Sequence, residues 1–109
     1  MKRLTPEFQN KDSRRILTQL LTTKDIKQIN VYEANHGAIL GNHFHKETVE
    51  YFYITRGTMI YNDRLIVRRG DFFVVYPPER HSLKVLSDKS TFLTFLTRPF
   101  SQENSDIYV

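Results

Sequence analysis

Three histidines and one glutamate stand at spacings that suit a metal centre. His43 and His45 are two residues apart, so on a β-strand both imidazoles project from one face. Glu50 opens the run Glu50-Tyr51-Phe52-Tyr53-Ile54, a carboxylate at the head of an aromatic and β-branched segment. A buried, unpaired carboxylate costs several kcal/mol, so Glu50 is expected to be paired or to bind a metal. His81 follows Pro77-Pro78-Glu79-Arg80 at the start of another apolar run, from which it can reach the same point across a barrel. Three imidazoles and one carboxylate suit one divalent ion per chain, Fe(II), Mn(II), Ni(II), Cu(II) or Zn(II), with coordination positions left open. The fourth histidine, His36, precedes Gly37 in a turn-like stretch and reads as an exposed loop residue.

The rest of the sequence must supply strands to carry these ligands. Period-two alternation dominates, with Phe, Tyr, Val, Ile and Thr in abundance. Strands are expected over 16–21, 26–33, 38–44, 50–55, 58–61, 65–68, 72–76, 82–86 and 91–97, the regular spacing of an all-β barrel or sandwich. Asn62-Asp63 suits a two-residue hairpin loop, because both residue types tolerate positive φ. Pro77-Pro78 ends a strand, since neither residue donates to a ladder. Residues 101–109 are polar and read as an irregular tail. By strand parity Glu50, Phe52 and Ile54 face inward and Tyr51 and Tyr53 outward, while His81, Leu83 and Val85 share a face.

Composition narrows the classes. The 109 residues make one domain with one core. With no cysteine there is no disulfide, thiolate site or cysteine nucleophile. No run approaches the roughly 20 apolar residues of a membrane helix, and no apolar stretch follows Lys2-Arg3, so the expectation is a cytoplasmic protein without membrane attachment. The net charge of +4 is compatible with an anionic small molecule, and no nucleic-acid-binding signature accompanies it. The apolar content of Arg14 to Leu21, the outward Tyr51 and Tyr53, and the free edges of a small barrel predict a homodimer.

Gly37, His43-x-His45, Glu50 and Gly57 resemble the first cupin motif at every position. Gly70-Asp71, Phe72 to Tyr76, Pro77-Pro78 and His81 resemble the second, with Tyr76, Pro78 and Val85 in place of its Pro, Gly and Asn. The resemblance implies a single all-β jelly-roll barrel over 1–109, its motifs at 37–57 and 70–85, with the ligand cavity inside. A narrower resemblance rests on Gly41-Asn42-His43-Phe44-His45-Lys46 and on Pro99-Phe100-Ser101, Glu103-Asn104 and Tyr108. It is to cupin domains attached to nucleotide-sugar reductases of capsule biosynthesis, where the cupin carries out a metal-dependent epimerisation.

That resemblance implies an epimerase or isomerase of a nucleotide-linked keto sugar. The chemistry is proton abstraction beside a carbonyl, with the metal as Lewis acid. Glu50 and Tyr61 are the catalytic candidates, Tyr76 and Glu79 further acid–base candidates, and Arg68 a steering charge for the pyrophosphate. A non-haem metal oxygenase of a small organic substrate and a non-catalytic sugar-binding cupin are the alternatives.

Overall fold

A computed structural model describes all 109 residues, and every regular element in it is a β-strand. The strands are β1 (Lys2–Leu4), β2 (Phe8–Lys11), β3 (Ile16–Gln19), β4 (Gln28–Asn35), β5 (Ile39–His43), β6 (Glu50–Arg56), β7 (Thr58–Tyr61), β8 (Leu65–Arg68), β9 (Phe72–Val75), β10 (His81–Val85) and β11 (Lys89–Leu96). Two sheets face each other, of order β1-β9-β6-β11-β4 and β5-β10-β7-β8, and β2 pairs β3 in a separate hairpin. All pairings are antiparallel. This is the cupin jelly roll.

Nine expected strands are present, with ends shifted by up to three residues. β1 and β2 are additional. β1 lacks alternation and exists because Lys2, Arg3 and Leu4 pair with Val74, Phe73 and Phe72 of β9. The tail is also a correction: Asp106 is buried and Phe44 bridges Tyr108 through backbone bonds of 2.9 and 3.0 Å. These contacts are long-range and leave no periodic trace in a nine-residue polar stretch.

The alternation predicts the interior well. Phe52 and Ile54 of β6, Met59 of β7, Val67 of β8, Phe73 and Val75 of β9, Leu83 and Val85 of β10 and Phe92 of β11 form one buried cluster between the sheets. Phe52 and Phe73 stack at 4.9 Å. Asn62 and Asp63 adopt φ of 50° and 57° in the β7–β8 loop, the left-handed pair that a two-residue hairpin needs.

Gly41 has a direct bearing on the site. Its φ is +81°, and a Cβ there would lie 3.0 Å from the His81 carbonyl oxygen. Glycine therefore lets β5 approach β10 closely where His43 stands opposite His81. The β10 register shifts between His81 and Ser82, a bulge of the kind that re-aims a side chain.

Candidate metal and ligand site

Four elements deliver the four side chains. His43 ends β5, His45 follows it, Glu50 begins β6 and His81 begins β10. Their ligand atoms all lie within 4.8 Å of one another. The imidazole centroids are 4.6 to 5.2 Å apart. Glu50 Oε1 is 3.1 Å from His45 Nε2 and 3.4 Å from His81 Nε2. His45, Glu50 and His81 are buried and His43 is half-buried, so His43 is the edge of the cluster nearest solvent.

The electrostatics suit a cation. Burial pushes the Glu50 carboxyl up, but the hydrogen bonds and charges of His45 and His81 outweigh it and hold the group at about 2. Burial, then the neighbouring His81 and His45, lower His43 to about 4, so it is neutral at pH 7. Burial pulls His45 down, while its bonds to Glu50 and to the Asp106 carbonyl more than restore it. His45 Nδ1 donates to the Asp106 carbonyl oxygen at 2.8 Å. That bond fixes the ring and aims Nε2 at the centre.

Asp106 is the residue that sequence reasoning missed. Its carboxylate accepts from the backbone N–H of Lys46, Glu47 and Thr48 at 2.8 to 3.1 Å, and from the Thr48 hydroxyl at 2.8 Å. One side chain thus clamps the loop between two ligands, His45 and Glu50. Burial raises the Asp106 carboxyl, and these donors more than reverse that, to about 2. The only sequence signal was the resemblance of the tail, which identified no role for Asp106.

The cluster forms one wall of a cavity of about 520 Å³. Leu40, Phe52, Leu83, Phe92 and Leu96 supply apolar walls, and Gln28, Asn30 and Tyr32 supply polar groups from β4. An apolar pocket with a few convergent polar groups is the usual form of a small-molecule site.

Other candidates lie elsewhere. Tyr61 hydrogen-bonds Glu79 and borders a second cavity of about 470 Å³ with Met1, Asn62, Arg64 and Leu65. Tyr76 is exposed. His36 is exposed too, its Nδ1 3.1 Å from the Leu86 and Ser87 carbonyl oxygens. Arg68 sits on the edge strand β8, and no Lys or Arg lines the histidine cavity. The cations closest in structure to the cluster are Arg80, which donates to the Asn42 carbonyl at 2.9 Å, and Lys46, 4.3 Å above the Tyr108 ring.

Comparison with known structures agrees with this fold. The chain is similar to the rmlC epimerase of Mycobacterium tuberculosis, with 17% identity and a TM-score of 0.77, over 94% of this chain and 65% of that one. It is similar to the RmlC dTDP-6-deoxy-D-glucose-3,5-epimerase of Legionella pneumophila, solved in complex with dTDP-4-keto-L-rhamnose. There the identity is 15% and the TM-score 0.75, over 91% and 67% of the two chains. The capsular polysaccharide assembling protein CapF of Staphylococcus aureus is 22% identical with a TM-score of 0.67, over 93% of this chain. The chain spans about a third of the length of CapF. No curated protein matches it. No helix is long and apolar enough to cross a membrane. The family model described as the polysaccharide biosynthesis C-terminal domain matches residues 10–77, and the chain belongs to that family.

Proposed function

We propose that this domain is a metal-dependent epimerase or isomerase of a nucleotide-linked keto sugar. The carrying observation is the convergence of His43, His45, Glu50 and His81 on one wall of an otherwise largely apolar cavity. RmlC-type epimerases of this fold include one solved with a dTDP-linked keto sugar.

The donor set fits a divalent ion. It holds three imidazoles and one carboxylate and no Lys or Arg. His45 is bonded at both ring nitrogens, an arrangement that without an ion requires the charged imidazolium. A cation at the centre removes that requirement and lets Nε2 act as a neutral donor atom. When bound, the ion supplies Lewis-acid polarisation of the substrate carbonyl.

The chain's own residues do the rest. Asp106 fixes the His45 ring and the loop to Glu50. Leu40, Leu83, Phe92 and Leu96 keep water from the sugar, which strengthens every polar contact inside. Arg80 and Lys46, on either side of the stacked Phe44 and Tyr108 rings, place positive charge for a pyrophosphate. Solvent deuterium incorporation into a panel of nucleotide 4-keto sugars tests the reading. Metal-loaded protein should exchange the hydrogen on the carbon beside the carbonyl, and metal-free protein should not. No exchange with any metal, together with oxygen consumption on a small chelating substrate, would replace the epimerase with an oxygenase.

The same proposal includes a homodimer. Two cross-strand rows on the outer face of the five-stranded sheet are apolar: Ile29, Phe95, Tyr51 and Val74, and beside them Val31, Leu93, Tyr53 and Phe72. Ile29 and Val31 are 59% and 69% exposed at the β4 edge, more than a solvated strand requires. The β2–β3 hairpin, with exposed Phe8, Ile16 and Leu17, pairs with no other strand of its own chain. Light scattering should give twice the 13.0 kDa chain mass, and a single-chain mass would refute the dimer.

A further inference from the structure

Three parallel rows cross the inner face of the five-stranded sheet from β6 through β11 to β4. They are Glu50, Leu96 and Gln28, then Phe52, Thr94 and Asn30, then Ile54, Phe92 and Tyr32. The first row carries a member of the metal-ligand cluster. The other two end in polar groups on β4 at a distance of two strands, about 10 Å. A pyranose ring held at the cluster by its carbonyl spans much of that distance.

The polar groups at the far end are poorly satisfied by the protein. Thr94 is fully buried, and its hydroxyl has no hydrogen-bond partner. Such a group is costly unless something else meets it. Asn30 and Thr94 are the polar side chains beside the Tyr32 phenol. The Asn30 side-chain oxygen already accepts from Gln28 Nε2 at 3.0 Å, and Gln28 Oε1 in turn accepts from the Phe100 N–H at 2.8 Å. The Asn30 amide nitrogen is thereby left to donate into the cavity. Tyr32 lies flat on Phe92, with centroids 4.6 Å apart and planes 7° from parallel, which fixes where its hydroxyl points.

We propose that Tyr32, Asn30 and Thr94 form a subsite that binds a sugar hydroxyl group at the end of the ring away from the histidines. Tyr32 is the specificity-determining residue of that subsite. The inference rests on the keto-sugar reading and adds which part of the ligand is read and by which residues. A hydroxyl bound there donates to Thr94 and accepts from the phenol and the Asn30 amide. A ligand lacking it leaves those groups unpaired, which is how a polar site rejects a deoxy analogue.

Calorimetric titration of metal-loaded protein tests this, with a dTDP-linked 4-keto-6-deoxyhexose and its 2-deoxy and 3-deoxy analogues as probes. The wild type should bind the parent about tenfold or more tightly than one of the analogues. Tyr32→Phe keeps the stack on Phe92 and should abolish that preference, raising KM in the deuterium-exchange assay more than it lowers kcat. Thr94→Val, similar in shape, should weaken the preference without lowering the melting temperature, because no internal bond is lost. If both variants keep the wild-type preference, or if Thr94→Val alone melts markedly lower, the subsite is overturned while the keto-sugar function stands. If the wild type binds none of the probes, the function and the subsite fall together.

Discussion

Two cavities of similar size each hold a carboxylate, and they differ in what surrounds it. Glu50 faces imidazoles, whose nitrogens can either donate protons or give lone pairs to a metal. Glu79 faces the Met1 amino group at 2.5 Å and the Tyr61 hydroxyl, which are a fixed cation and a fixed donor. The second arrangement is closed, because every partner is already spent on the carboxylate. Burial, then the Glu79 contact, push the Tyr61 phenol well above its usual range, so it stays protonated and is a poor base. The first arrangement is open, with its least buried imidazole, His43, bordering the cavity. The lesson is that partner chemistry separates a reactive carboxylate from a structural one, since burial and cavity size do not.

The largest expected effect is on the open cluster. His45→Ala should lower affinity for divalent metal by about a hundredfold or more, whereas His36→Ala should leave it unchanged. Elemental analysis of the two purified variants decides the matter, and equal metal content in both would erase the contrast between the cavities. Chelation of the wild-type protein should lower its melting temperature by the same linkage, read by differential scanning calorimetry.

Next in size is the support for that cluster. Asp106→Ala removes four hydrogen bonds to the loop 46–48 and should cost about 3 kcal/mol of stability, measured by urea unfolding. It should also weaken metal binding about tenfold by freeing the loop between His45 and Glu50. The pH dependence has a definite sign. The carboxyl sits at about 2 in the folded protein against roughly 4 in the unfolded chain. Its contribution is therefore complete above about pH 4 and fades as the pH falls toward about 2, and the wild-type advantage over the variant should close across that window. An advantage unchanged to pH 2 would show that the charge is not what holds the loop.

The smallest effect belongs to the closed cavity. Glu79→Gln should cost about 1 kcal/mol of stability and leave metal content and deuterium exchange at wild-type levels. A loss of exchange in this variant with metal intact would move the chemistry toward Tyr61 and Glu79.

Much of the molecule was legible in its sequence because two periodicities are local. Alternation placed Phe52, Ile54, Leu83 and Val85 inside, and the buried core contains all four. The spacing of His43 and His45 put both rings on the inner side of the barrel, and the resemblance linked them to Glu50 and His81 before any distance was known. Asn62-Asp63 carries its own turn, because the side chains that permit positive φ belong to the residues that adopt it.

What the tertiary structure alone decided involves partners far apart in the chain. Asp106 sits about 60 residues from the loop it clamps, with |i−j| of 58 to 60. Strand β1 exists only through β9, and Tyr61 and Glu79 were assigned to a cavity by the approach of Met1. The polar row on β4 is another case. Gln28, Asn30 and Tyr32 alternate in the sequence like any half-exposed strand, and only the closing of β4 over β11 turns that face toward the histidines. Alternation sorts residues into two faces of a strand, but which face meets a ligand depends on long-range pairing, where each contact is fixed by loop closure and packing rather than by neighbouring residues.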